Sequence, residues 1–314
     1  MRQEAVTYAP VVTGADGRVE VQLGSSHPGS TDAAYRARRN AIAHLALEWR
    51  PGQPVPRAPY TAQEDEVWRV VMDELAPRHQ RYACREYLIG RERLGLPRAA
   101  VPQLEDVSAH LVALTDFRYV PAAGLVPLRD FYEALAVGVF HSTQYLRHHS
   151  VPLYTPEPDV IHEVVGHANC LASDRFAALY RAAGHAARRV ETDAALEFVS
   201  RVFWFSLEFG VVFEGGELKT CGAGILSSYG ELEAFRSMDL HPLDITAMGT
   251  TDYDITTYQP VLFAADSFTH LEDVVGGFFA TCDDESIAAQ IHTDQIHPAQ
   301  IHTALTTAPI GAAR

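Results

Sequence analysis

The sequence has little of what would assign it to a class at once. Its four cysteines, Cys84, Cys170, Cys221 and Cys282, are widely separated and include no C-x-x-C pair. This spacing gives no basis for a disulfide framework or a structural zinc site, and it fits reduced thiols in a cytoplasm. Positive charge is scarce, with 25 Lys and Arg against 40 Asp and Glu, a formal net charge of −15. Nucleic-acid binders neutralise phosphate with basic residues, so that class is set aside, and the acidic surface favours solubility. There is no apolar run of membrane-spanning length, and Met1-Arg-Gln-Glu-Ala-Val-Thr-Tyr lacks the apolar core of a signal peptide. The sequence therefore predicts a cytoplasmic protein without a membrane partner.

What is present is a soluble, globular composition: 47% hydrophobic and 21% charged residues over 314 positions. Gly, Ser, Asp and Pro clusters mark 1–32 as a loosely ordered arm, in which Val19, Val21 and Leu23 alternate as a short edge strand. Helical spacing begins at Asp32 and reaches Trp49, after which Pro51, Pro54, Pro56 and Pro59 impose an extended linker. Thr61-Ala-Gln-Glu64 is a capping box that opens a second helix, weakened at Pro77 and resuming through Tyr82 and Tyr87. Further helices are expected over 106–114, over 129–147, from Asp174, and from Asp193 through Trp204 to Phe209.

Gly215-Gly216 between two β-prone runs predicts a hairpin, and Ser228-Tyr-Gly-Glu231 a second capping box. Tyr258-Gln-Pro-Val-Leu-Phe263 is expected to be an edge strand, because Pro260 cannot donate to a ladder. The Gln-Ile-His repeats ending at His292, His297 and His302 fit neither a heptad nor an amphipathic helix, so a frayed polar tail is expected. With no boundary between about 33 and 285, the chain is expected to be one mainly α domain over 33–285 followed by a tail over 286–314.

The chemistry concentrates in Pro156-Glu-Pro-Asp-Val-Ile-His162-Glu163-Val-Val-Gly166-His167. Two imidazoles and one carboxylate are the ligand set of non-haem Fe(II) centres that activate O₂, and Glu208 in Trp204-Phe-Ser-Leu-Glu208 supplies a buried carboxylate. The spacing differs from the zinc pattern. Histidines four apart lie about 40° apart on a helix, whereas five apart lie about 140° apart. Both rings reach one ion if the first lies at a helix terminus, for which Asp159 is the expected N-cap. Glu163 is then free for a supporting or acid–base role. Arg147 is a candidate for bidentate carboxylate recognition. The same residues also allow core histidines with a salt-bridged Glu208, or a zinc hydrolase with Glu163 as base.

Tyr154-Thr-Pro-Glu-Pro-Asp-Val-Ile-His-Glu-Val-Val-Gly-His167 resembles the signature of the pterin-dependent aromatic amino acid hydroxylases. Matching stretches follow in the same order: Tyr35-Arg-Ala-Arg-Arg-Asn, Pro102-Gln-Leu-Glu-Asp-Val-Ser108, Phe140-His-Ser-Thr-Gln-Tyr-Leu-Arg-His148, Phe203-Trp-Phe-Ser-Leu-Glu-Phe-Gly210 and Gly222-Ala-Gly-Ile-Leu-Ser-Ser-Tyr-Gly-Glu231. The resemblance implies one catalytic domain with an iron-binding helical basket and short β-hairpins. It implies Fe(II), a tetrahydropterin and O₂ as co-substrate, acting on a small aromatic amino acid, phenylalanine before tryptophan. It makes His162, His167 and Glu208 the metal ligands and puts Gly124, Leu125, Phe131, His141, Glu163 and Phe203 around the pterin. Arg147, Thr155, Trp204, Phe209, Cys221 and Ser227 would contact the substrate, with Glu163, Trp204 and Cys221 nearest the chemistry and Tyr253 on a mobile tyrosine of the family.

The chain has neither the regulatory domain nor the tetramerisation helix of the animal enzymes, so it resembles the short bacterial form and a monomer is expected. Pro127 and Leu128 stand where relatives carry small polar residues. Ala168-Asn169-Cys170 replaces Val-Pro-Leu, and Cys221 replaces Tyr or Phe. The last departure predicts a reshaped pocket, so the expected product is tyrosine or, where the altered pocket turns the ring, meta-tyrosine. A non-catalytic pterin or amino-acid binder is the competing class, which the intact His162, His167 and Glu208 argue against.

Overall fold

The computed structural model describes residues 9–14, 17–255 and 257–296, the side chains of 293–296 excepted. Helices dominate, wrapped around one apolar core that runs from Val67 to Ile287. Strands are short: β1 (Val11–Thr13) pairs antiparallel with β2 (Val19–Val21), and β3 (Arg118–Pro121) pairs parallel with β4 (Val139–Ser142). A four-stranded sheet contains β5 (Val211–Glu214), β6 (Glu217–Thr220), β7 (Asp239–Pro242) and β8 (Val261–Ala265), in the order β6-β5-β8-β7. No helix among the described residues is long and apolar enough to cross a membrane.

Local signals placed most elements. The helix Ala33–Glu48 is capped by Asp32, whose carboxylate accepts from the N–H groups of Ala34 and Tyr35. Thr61 and Glu64 form the reciprocal capping box at the start of Ala62–Tyr82. Gly215 and Gly216 both take positive φ, 59° and 80°, as a two-residue turn matched to the twist of β5 and β6 requires. At Ser228 only half of the box forms: its hydroxyl accepts from the Glu231 N–H, while Glu231 lines the central cavity.

Several expectations are corrected. The helix expected over 129–147 stops at Leu135, within Leu128–Leu135. Gly138 turns the chain with φ of 69°, and β4 then leads into a buried irregular segment. That segment can stay irregular because other elements satisfy its carbonyls: Tyr60 donates to Gln144 O, Tyr35 to Leu146 O and Val160 N–H to Tyr145 O. Pro77 does not interrupt its helix, which runs from Ala62 to Tyr82 on a face anchored by Val71, Leu75 and His79. The strand after Pro260 is interior rather than an edge, since Pro260 precedes β8 and leaves its ladder intact between β5 and β7.

The ends of the domain also differ from expectation. Val21 is buried and its N–H donates to Asn40, so part of the arm over 1–32 packs on the first helix. At the other end, the helix Asp284–Ile296 continues past 285 with Ile287 fully buried, so the first part of the expected tail is helical. His297 and His302 lie outside the described residues.

Among the described residues three segments are π-helical: His162–Ala168, Trp204–Glu208 and Glu272–Gly276. The first packs closely on the short helix Ala223–Ser227. A Cβ added at Gly166 would lie 2.7 Å from the Ala223 carbonyl oxygen. Gly166→Ala is therefore expected to destabilise the protein by about 1–3 kcal/mol, the usual cost of overpacking. A lowered thermal midpoint checks this, and the same shift should weaken metal retention because His167 is the next residue.

Candidate metal centre and cavity

The π-helix resolves the spacing of the two histidines. With bonds running from i to i+5, residues five apart lie about one turn apart, so His162 and His167 share a face. Their Nε2 atoms are 3.0 Å apart. Asp159 caps this helix as expected, its Oδ1 accepting from the His162 N–H at 3.3 Å. The widened turn leaves carbonyls for others to satisfy: Tyr119 donates to Glu163 O, while Tyr87 and Asn169 both donate to Val165 O.

Glu208 ends the second π-helical segment and faces the pair. Its Oε1 is 3.0 Å from His167 Nε2, and its Oε2 is 3.9 Å from His162 Nε2. Ligands about 2.1 Å from one ion at right angles stand about 3 Å apart, so this donor set fits a metal. Outer contacts fix the rings. The Ser227 hydroxyl donates to Ala223 O, so its oxygen is free to accept from His162 Nδ1–H at 2.9 Å, which turns the Nε2 lone pair inward. His167 Nδ1 is 2.8 Å from the Tyr180 hydroxyl.

The electrostatics match this geometry. Burial lowers His162 to about 4, with the neighbouring His167 charge adding to the shift. Burial would raise Glu208, but His167 holds it below the ordinary carboxylate range. Glu163, whose carboxylate is also within 4.8 Å of both imidazoles, is pushed by burial up to about 7, against the pull of His167 and Thr143. Of the two carboxylates, Glu208 is favoured as the ligand, because its Oε1 lies 3.0 Å from His167 Nε2 and its charged form is favoured there, whereas burial disfavours the charged form of Glu163. Glu163 is instead held by the Thr143 hydroxyl at 3.3 Å.

Above the three donors opens a cavity of about 410 Å³. It takes in Gly124, Leu125, Phe131, His141 and Phe203 together with Arg147, Thr155, Trp204, Phe209 and Ser227. Phe131 is partly buried and meets Phe140 edge-on at 5.5 Å. His141 Nδ1 is buried with no hydrogen-bond partner among the described residues, a polar atom left for a heterocycle such as a pterin. Trp204 stacks on Tyr253 at 4.2 Å and 14° and tilts against Phe209 at 4.5 Å, forming an aromatic wall.

Arg147 modifies its expectation. Its bidentate partner is internal: Nε and Nη2 each donate at 2.9 Å to the fully buried Asp159, Nη1 donates to Pro152 O at 3.4 Å, and the side chain still lines the cavity. Burial alone would raise Asp159, but the Arg147 charge holds it below its ordinary value.

Cys221 is the one expected site residue outside the cavity. It is fully buried, with Sγ 4.0 Å from Ser206 O behind the wall that carries Glu208. It therefore cannot touch substrate directly. Thr143, Asp159 as the clamp on Arg147, and Glu231 were not anticipated in these roles. Of these, Asp159 carried a signal only as a helix cap, and Glu231 only as the partner of Ser228 in a capping box.

Comparison with known proteins follows this geometry. The family profile described as biopterin-dependent aromatic amino acid hydroxylase matches residues 14–302. The phenylalanine 3-hydroxylase of Streptomyces coeruleorubidus is 54% identical, over 84% of this chain and 94% of that protein. The phenylalanine-4-hydroxylase of Homo sapiens is 40% identical over 83% of this chain, which spans only 59% of that longer protein. Among solved structures, a phenylalanine hydroxylase of Chromobacterium violaceum superposes with a TM-score of 0.71 at 28% identity, covering 82% of this chain and 93% of that one. Another from that organism, with bound iron(III) and 7,8-dihydrobiopterin, gives 0.69 at 29% identity, covering 76% and 90%.

Proposed function

From the premise that this chain belongs to the biopterin-dependent aromatic amino acid hydroxylases, we propose that it hydroxylates phenylalanine at the meta position of the ring. The convergence of His162, His167 and Glu208 beneath a cavity edged by Arg147 carries the reading. The meta position is supported by the greater likeness to a phenylalanine 3-hydroxylase than to the 4-hydroxylases, 54% against 40%. Family membership displaces the zinc-hydrolase reading and makes the chain a monooxygenase rather than a binder. We take it to act as a cytoplasmic monomer, with which its four free, buried cysteines agree.

Iron, a tetrahydropterin and O₂ are the cofactors and co-substrate of this chemistry; when bound, they supply the reducing electrons and the oxygen atom that enters the ring. His162, His167 and Glu208 would hold the metal on one face and leave its other positions open to the cavity. Phe131 and Phe203 offer apolar surface to the pterin, with the Gly124–Leu125 backbone, His141 and Glu163 at its polar edge. The Nη1 end of Arg147, beside its bond to Pro152 O, takes the substrate carboxylate, and Thr155 and Ser227 lie within the same pocket. Trp204, Phe209 and Tyr253 bracket the ring. The apolar lining excludes water that would intercept the oxidant.

The test is product analysis of iron-loaded enzyme given a tetrahydropterin, O₂ and phenylalanine. Meta-tyrosine as the main isomer is the expected result, and para-tyrosine alone would reduce the enzyme to an ordinary 4-hydroxylase. Cys221 acts, in this reading, through the wall it packs behind. Cys221→Tyr is expected to raise the para share; an unchanged ratio would show that other residues turn the ring.

A further inference from the structure

We propose a second metal site, built from Asp32, His148 and His149 and suited to a divalent first-row transition ion such as zinc. One donor atom from each residue lies within 4.8 Å of the others. The site is apart from the triad, since none of its three residues lines the central cavity.

The donors are already held in position. Asp32 spends Oδ1 on the N–H groups of Ala34 and Tyr35, which fixes the carboxylate and leaves Oδ2 facing His148 Nε2 at 3.3 Å. His148 is buried, edge-on to Tyr35 at 4.9 Å, with Nδ1 2.7 Å from the Ser150 hydroxyl. The Ser150 N–H also donates to Nδ1 at 3.3 Å, and these contacts fix the ring with its Nε2 directed at the carboxylate. An Asp32–His148 pair alone would be an ordinary ion pair. The third residue changes this. His149 is exposed, lies against His148 with ring centroids 4.3 Å apart, and has no hydrogen-bond partner among the described residues.

Two imidazoles and one carboxylate suit zinc, cobalt or nickel better than magnesium or calcium, which prefer all-oxygen sites. Solvent supplies the remaining position. An ion here would clasp the first turn of the helix Ala33–Glu48 to the segment that carries Arg147, one residue away.

The experiment titrates Zn(II) into iron-loaded, full-length enzyme against a chromophoric chelator while iron content is followed. One zinc per chain beyond the retained iron is expected, with affinity at least tenfold weaker in His149→Ala. Because His149 is exposed, that variant should fold and keep its zinc-free hydroxylase activity. Glu208→Gln, which removes a proposed iron ligand, should still take up this zinc. No uptake beyond iron would overturn the site, as would equal uptake in wild type and His149→Ala, which would put the zinc on other histidines such as those near the C-terminus.

Discussion

Glu208→Gln is expected to abolish hydroxylation and iron retention while leaving the fold intact. The amide keeps the volume of the carboxylate but not its charge, and the cation would then sit in an apolar cup with two neutral ligands. Losing a partner that only orients a ligand costs about 10–100-fold in metal affinity, so losing a charged ligand should cost at least about 100-fold. Two measurements separate this from misfolding. Without metal, the thermal midpoint of the variant should fall only modestly, because His167, which loses the carboxylate that favoured its charged form, can shed its proton. Added Fe(II) should raise the wild-type midpoint, since a ligand that binds only the native state stabilises it, and leave the variant unmoved. Normal iron content and activity in Glu208→Gln would transfer the ligand role to Glu163, the other carboxylate within reach.

The second large effect concerns Arg147. Arg147→Lys keeps the charge but cannot make both parallel bonds to Asp159 and still offer the proposed contact to the substrate carboxylate. We expect kcat/KM for phenylalanine to fall at least about 100-fold, or about 3 kcal/mol. The loss should lie mainly in the KM for the amino acid, with the KM for the pterin nearly unchanged. Asp159→Asn should be worse for folding, because it leaves a buried guanidinium without its counter-charge, a change that costs about 3–5 kcal/mol. Steady-state kinetics in both substrates, paired with thermal unfolding, distinguishes the two. Equal rises in both KM values would mean that Arg147 supports the cavity as a whole rather than the substrate's carboxylate.

Much of this site was legible in the chain. His162, His167, Glu208 and Arg147 were found from residue type and spacing, and Phe131, His141 and Phe203 from resemblance, and all of them line one cavity. Local signals were sufficient wherever the cause of an element was local, as at Thr61-Glu64, Asp32 and Gly215-Gly216. They failed where distant residues decide. The segment after β4 looked helical because its apolar run suits a helix or a buried strand equally. It is irregular because Tyr35 and Tyr60, more than 80 residues away, satisfy its carbonyls. Pro260 pointed to an edge because a proline weighs against ladder pairing, yet the ladder begins one residue later. Cys221 stood out as a departure in sequence, and nothing in its neighbours revealed that its thiol lies behind the cavity wall.

The turn between the two metal-facing histidines has a consequence for how such a centre could change over time. With one residue fewer between them, the stretch would read His-Glu-x-x-His, the spacing an ordinary α-helix uses to hold zinc with the glutamate as general base. A single-codon deletion thus separates two reaction classes at the level of local sequence. The surplus residue is absorbed by the π-turn His162–Ala168 and by the tyrosine and asparagine donors that satisfy its carbonyls. Tyr87 and Tyr119 come from two other parts of the chain and Asn169 directly follows the turn, so the deletion would leave them without their present acceptor geometry, and the surrounding elements buffer this centre against that change.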